Sequence, residues 1–286
     1  MPPCAGTMAL ETKHPTMRTT LRTSIGLLAG AVLAATAGAQ TISIKGSDTL
    51  GAKLVPQLAE SFKAKNSGVK FEIAAEGSST AFPALANGTA QIGMSSRKAK
   101  PEEITAARAK GIKLNEVEAC HDMIVVIVNK NNPVKALTKD QIAKIFTGQV
   151  KDWSEVGGTP GPISIYTRNT SSGTYKDWQG LAMKGRDYAS GSQKLAGNEQ
   201  IAQEVAKNKN GIGYVGLAYA KANGTQTVGI DGVQPVPANA KTYAYSRACY
   251  FYVPENADAT VKSFIDFATS SEGQSIAQRI GFVPNH

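Results

Sequence analysis

The residues best placed to do chemistry lie in four short polar turns, each entered from a β-rich run. The first is Gly46-Ser47-Asp48-Thr49-Leu50, after Ile42-Ser43-Ile44-Lys45. Gly77-Ser78-Ser79-Thr80 repeats the device after residues 71–76, ahead of a short helix carrying Phe82 and Leu85. Ile92-Gly93-Met94-Ser95-Ser96-Arg97 has the same character, and residues 163–167 lead into Arg168-Asn169-Thr170-Ser171-Ser172-Gly173-Thr174. A helix start carries unpaired N–H groups and the positive end of the helix dipole, Ser and Thr add hydroxyl donors, and Gly admits a close backbone approach. One such turn is an ordinary helix cap. Several aimed at one cleft would hold an oxyanion, and Arg168, four residues before Ser172, adds a planar fork of parallel donors suited to a phosphate-like group.

Other chemistries find less support. Past the N-terminal leader the histidines are His121 and the terminal His286, too few for a histidine-rich metal centre, and two cysteines cannot complete a four-ligand zinc site. A hydrolase or phosphatase using a turn serine would need a base, and His121 beside a strand reads as a structural residue. Gly211-Ile212-Gly213-Tyr214-Val215-Gly216 fits the dinucleotide fingerprint in letters, yet it follows a polar Lys/Asn stretch and no helix start comes after it. Residues 46–53 miss a phosphate-binding P-loop, with Ala52 where Lys must stand.

The elements that must position these turns read as a layered α/β chain, with strands at 41–45, 70–75, 123–129 and 163–167. Leu50, Leu54, Leu58 and Phe62 recur every fourth residue, with Val55 widening the stripe, until Asn66-Ser67-Gly68 stops the helix. Pro56 and Pro83 fall near first turns and are expected to shift their helix starts later. Thr138-x-x-Gln141 is a capping box for a helix carrying Ile142, Ile145 and Phe146 and ending at Gly148. A further helix over 259–268 buries Val261, Phe264, Ile265 and Ala268. Trp153, Trp178 and tyrosines 243, 245, 250 and 252 read as packing rather than cleft lining. No repeat or Ser/Pro linker separates independent domains, so two lobes would be interwoven.

The chain has 286 residues, 42% of them hydrophobic and 19% charged, which fits one large or two ordinary packed domains and excludes a disordered or polytopic membrane protein. From Met17 it reads as a secretory signal: Arg18 and Arg22, an apolar core over 25–37, and Ala37-Gly38-Ala39 before Gln40. Cleavage is expected after Ala39, with residues 1–16 an upstream extension. The core is shorter than the roughly 20 apolar residues of a spanning helix. The formal charge of +9 is scattered rather than gathered, and no nucleic-acid motif or aromatic-basic stripe appears. Cys120 and Cys249 remain in the exported part, either as a disulfide between neighbouring strands or as two separately buried thiols.

At these turns the chain resembles the periplasmic phosphate-binding proteins of high-affinity phosphate ABC transporters. The resemblance covers essentially the whole exported chain: the turns above, residues 137–153, Ile212-Gly213-Tyr214-Val215 and the closing Gly281-Phe282-Val283-Pro284. Its most specific element is Arg168 with Ser172-Gly173-Thr174. It implies an α/β, two-lobed periplasmic-binding-protein fold of type II, each lobe a mixed sheet flanked by helices, with two crossover strands. Residues 40–123 and 248–286 would form one lobe and 124–247 the other, placing Cys120 and Cys249 at the crossovers and favouring the disulfide. Thr49, the Leu50 amide and Ser78 would hold the anion from one side, and Arg168, Ser172, Gly173 and Thr174 from the other. The implied partners are inorganic phosphate and a membrane permease. The protein would be a monomer with no cofactor, metal or catalytic residue, and would bind no nucleic acid.

Two positions depart from that pattern. Ser96 stands where some members carry an aspartate, and Thr170 where they carry an acidic residue two places after the arginine. A carboxylate can accept the proton of phosphate but repels fully ionised sulfate. Ser96 is a possible ligand, and Asp48 is either a substitute acceptor or the cap of the helix that follows it. Sulfate or arsenate therefore stays open as the cargo, as does a secreted phosphatase.

Overall fold

The computed structural model describes residues 40–285; the expected leader and cleavage site lie outside them. The chain begins with β1 (Gln40–Gly46), α1 (Asp48–Gly51), α2 (Leu54–Lys65), β2 (Val69–Ala74), α3 (Ser78–Ala86), β3 (Ile92–Ser95) and α4 (Pro101–Ala109). β1 pairs in parallel with both β2 and β3. The apolar stripe of α2 packs Leu54, Val55, Leu58 and Phe62 against Ile42, Ile44 and Phe264. Each such side chain taken fully from water contributes about 1.5–3 kcal/mol.

A long strand, β4 (Leu114–Asn129), then leaves this first lobe and enters a second. Met123 to Val128 are all buried, the continuous apolar run expected of a strand covered on both faces. Next come β5 (Ala136–Leu137), α5 (Lys139–Phe146), β6 (Ser164–Arg168), α6 (Gly173–Leu181), β7 (Gln193–Leu195), α7 (Asn198–Lys207), β8 (Gly211–Gly216), β9 (Thr225–Thr227) and β10 (Gly229–Ile230). The chain returns through β11 (Ser246–Pro254) and closes with α8 (Ala259–Thr269) and α9 (Ser271–Ile280).

β4 joins the two halves because it changes partner along its length. Residues 114–123 pair antiparallel with β11, and Ile124 to Val128 pair antiparallel with β8. One nine-stranded mixed sheet results, in the order β2-β1-β3-β11-β4-β8-β6-β7 with β9 also on β4. Each lobe keeps its own core, one around Phe62, Phe251 and Phe264, the other around Trp153, Trp178 and Tyr214. Trp178 stacks on Tyr214 at 4.6 Å between ring centroids, and Tyr243 and Tyr245 lie in the same core, so these aromatics pack as expected.

The capping box is formed as read: the Gln141 amide donates to Thr138 Oγ1 at 3.1 Å and the Thr138 amide to Gln141 Oε1 at 2.9 Å. Two details depart from the reading. The stripe from Leu50 to Phe62 is broken, α1 ending at Gly51 and α2 starting at Leu54, so Pro56 does lie in a first turn. Pro83, however, is interior to α3, which begins at Ser78. The tight start at Gly77 fixes that helix early, and Pro83 removes only the N–H that would have reached the Ser79 carbonyl. The dinucleotide-like stretch 211–216 is itself strand β8, between β4 and β6, with no phosphate-cradling turn.

Candidate functional site

Three of the four turns end in helix starts: Ser47 precedes α1, Gly77 precedes α3, and Ser172 caps α6. The third does not, since α4 begins only at Pro101 and Ser96 follows the end of β3 directly. Bidentate pairing of Arg97 with Glu103, at 2.6 and 2.8 Å, pins that loop instead, and Arg97 Nη2 also donates to Ser79 Oγ.

The turns meet across the boundary between lobes. Thr49 Oγ1 from α1 lies 3.1 Å from Thr174 Oγ1 of α6. The Ser96 amide donates to Ser78 Oγ at 3.0 Å, and the two hydroxyls are 3.2 Å apart. A Cβ on Gly173 would stand 2.4 Å from Ser78 Oγ and 2.9 Å from Ser96 Oγ, so only glycine permits this approach. Thr49, Ser78, Ser96, Arg168, Ser172 and Thr174 are all at most 1% exposed. The Ser47 hydroxyl is likewise buried and has no partner among the described residues. Leu50 turns its side chain into the first-lobe core, so only its first-turn amide can serve a ligand. Thr170 is exposed, away from this cluster.

The lobes are shut upon one another. The Ser79 amide donates to the Ser171 carbonyl at 3.1 Å, and Ser171 Oγ donates to the Glu76 carbonyl at 2.7 Å. Tyr219 Oη donates to the Thr49 carbonyl at 2.9 Å.

Asp48 neither caps its helix, which Ser47 precedes, nor stands as a free acceptor. Its Oδ2 accepts from the Asn198 amide at 3.0 Å and from Asn198 Nδ2 at 2.6 Å, and lies 3.1 Å from Arg168 Nη1. Arg168 thus takes its carboxylate from the opposite lobe rather than from a residue two places along its own loop. Nε and Nη2 of Arg168 donate to the Ala196 carbonyl, which fixes the plane of the guanidinium. Burial lowers the Arg168 pKa despite Asp48, so this cation is incompletely compensated where it lies. Arg247, in the return strand, behaves oppositely: burial would lower its pKa, but Asp122 and Asp177 outweigh that and raise it.

Sequence reasoning missed Asn198, Asp122 and Arg247. Asn198 had a signal, because β7, Ala196-Gly197 and α7 form another strand, small turn and helix start. Arg247 had none. It follows Tyr243-Ala-Tyr-Ser in sequence and becomes central only because β11 pairs it with Asp122. Cys120 and Cys249 are register partners on β4 and β11, both fully buried, and stand as free thiols. His121 lies on the crossing strand beside Glu118 at 3.4 Å, two-fifths exposed. Among the described residues, no group of three or more His, Cys, Asp or Glu side chains could hold a metal ion.

Comparison with known proteins identifies the family and agrees with the fold. The PBP superfamily domain matches residues 31–272. The phosphate-binding protein PstS of Pseudomonas aeruginosa is 34% identical over 268 residues, covering 85% of this chain and 82% of its own. PstS of Bacillus subtilis is 30% identical over 247 residues, covering 85% and 80%. A Clostridium perfringens substrate-binding protein assigned to phosphate ABC transport, solved with bound phosphate, superposes with a TM-score of 0.80 at 36% identity, over 86% of this chain and 100% of its own. With the extent of these matches and the two-lobed fold, the chain belongs to the PBP superfamily and, within it, to the PstS family of phosphate-binding proteins.

Proposed function

We propose that this protein is an extracytoplasmic receptor that closes two lobes around one dehydrated tetrahedral oxyanion, inorganic phosphate, and delivers it to the membrane permease of an ABC transporter. The carrying observation is the convergence, at full burial, of hydroxyls and helix-start amides from both lobes: Thr49, the Leu50 amide and Ser78 from one, Ser172, Gly173 and Thr174 from the other. Arg168 supplies the neighbouring charge. Attraction by net charge is not the device, because Arg168 and Arg247 face Asp48, Asp122 and Asp177. The anion is held instead by directed dipoles, which act strongly where water is excluded.

The lobe division we assign is 40–123 with 248–286 against 124–247. Strand pairing supports it, since β4 changes partner between Met123 and Ile124 and β11 starts pairing at Ser246. Export with cleavage after Ala39, and action as a monomer that breaks no bond in its cargo, belong to the same reading. In that compartment Cys120 and Cys249 would form a disulfide. Residues directly opposite on antiparallel strands lie about 4.5–5.5 Å apart at Cα, within the span a disulfide accepts. Each thiol gives up one proton, and two electrons pass to a protein or small-molecule disulfide, which leaves as two thiols.

Titration calorimetry of the leader-free protein with phosphate, sulfate and arsenate tests the reading. One-to-one phosphate binding without turnover of a phosphate ester is expected, and no binding of any of the three anions would overturn it. Sulfate is the rival cargo, because Ser96 offers a neutral hydroxyl in place of a carboxylate. A preference for sulfate would transfer the site to that anion.

A further inference from the structure

Arg247 is buried at the start of β11, where the chain crosses back to the first lobe, and four of its five guanidinium N–H donors have partners among the described residues. Nε and Nη2 donate to Asp122 Oδ2 at 3.3 and 2.9 Å, and Nη1 donates to Asp177 Oδ2 at 3.0 Å. The second donor of Nη2 goes to Thr174 Oγ1 at 2.8 Å. Asp122 is the register partner of Arg247 on β4, one residue before Met123 ends the pairing with β11, and its Oδ1 accepts from the Leu217 amide. Asp177 lies on α6, one turn beyond Thr174. A single cation therefore fastens the crossing strands to the helix whose start faces the cleft.

The chemistry of a hydroxyl gives this contact a direction. Thr174 Oγ1 has one proton and two lone pairs, and a guanidinium can only donate. Arg247 fills a lone pair of Thr174, so the Thr174 proton must point elsewhere. What lies there is Thr49 Oγ1, 3.1 Å away on the opposite lobe, at the proposed anion site. A hydroxyl that already accepts from a cation is also a stronger donor, because the two bonds polarise one another. Held by Asp122 and Asp177 on two sides, the guanidinium is not free to move to an anion.

We propose that Arg247 is a positioning residue of the anion site, acting through Thr174: it fixes the Thr174 hydroxyl as a donor to the bound oxyanion and ties its position to the crossing strands. The inference rests on the oxyanion reading above and assigns Arg247 no contact with the ligand.

A double-mutant cycle tests it, with inorganic phosphate titrated calorimetrically into the full leader-free chain. Thr174→Val removes the hydroxyl and keeps the shape. Arg247→Gln, and Arg247→Lys should the first not fold, remove the three-way fork. Each single variant is expected to weaken binding at least tenfold. Adding either Arg247 change to Thr174→Val is expected to weaken it no further, whereas the Arg247 cost returns in full beside Thr174→Ser, which keeps the hydroxyl. Equal cost in the presence and absence of the hydroxyl would overturn the inference, as would wild-type affinity in the folded Arg247→Lys chain. Parent protein that binds phosphate while the cycle proves additive refutes this inference alone; parent protein that binds none of the three anions refutes the underlying reading.

Discussion

Arg168→Ala is the most discriminating perturbation of the proposed site. The guanidinium is 1% exposed, with Nη1 3.1 Å from Asp48 across the cleft and Nε and Nη2 on the Ala196 carbonyl. Its remaining N–H groups can serve an anion, and burial leaves the cation short of compensation. Deleting it removes a charge-assisted donor from a site buried from solvent, a loss of about 2–5 kcal/mol, or roughly 30-fold to several-thousand-fold in Kd. Part of the effect falls on closure, because the lobes lose the ion pair, although Asp48 keeps both bonds from Asn198. Calorimetry with phosphate measures the affinity, and small-angle scattering with and without phosphate reports whether the lobes still close. Arg168→Lys keeps the charge and should recover only part of the loss, since an ammonium cannot reproduce the planar fork. Near-parental affinity in Arg168→Ala would refute the proposed role of this arginine and the geometry built around it.

Thr49→Ala and Ser172→Ala should each weaken phosphate binding by about 1–3 kcal/mol, read by the same titration. Ser172→Ala should also lower Tm, because the hydroxyl accepts from the Tyr175 amide as the cap of α6. Gly173→Ala should weaken binding more than tenfold while leaving the Tm of the unliganded protein nearly unchanged, because the added methyl meets Ser78 and Ser96 only when the lobes are shut. Asp177 has its pKa raised, burial outweighing Arg247. An acid raised by folding favours the native state below its unfolded pKa, and that contribution is lost as pH rises through its folded value. Asp177→Asn should therefore raise Tm at neutral pH relative to the parent, and the gain should shrink as acid protonates the parent carboxyl; a gain that grows on acidification would contradict this. For the cysteines, protein purified from an oxidising compartment and unfolded in a maleimide-polymer reagent should stay unlabelled until a reductant is added, then gain two labels. Labelling without reductant would dismiss the disulfide.

Much of this protein is determined locally. Alternating β-runs, four-residue apolar spacing in α2 and the Thr138–Gln141 box specify elements through contacts between near neighbours, so their existence can be read along the chain. The polar turns carry their chemistry in residue type alone, which is why Thr49, Ser78, Arg168 and Ser172 to Thr174 stand out before any fold is known. What only the tertiary structure decided is how these groups are partnered. Asp48 meets Arg168 and Asn198 across 120 or more positions of sequence, and no local rule tells such an ion pair from a helix cap. Arg247 becomes central because one strand pairing sets it beside Asp122 and within reach of Thr174. Pro83 sits inside α3 because the tight start at Gly77, packed against Ser171 of the other lobe, outweighs the preference of proline for a first turn. Short-range propensity is written in neighbouring residues, whereas the direction of a hydrogen bond and the partner of a buried charge depend on which distant segments packing brings together.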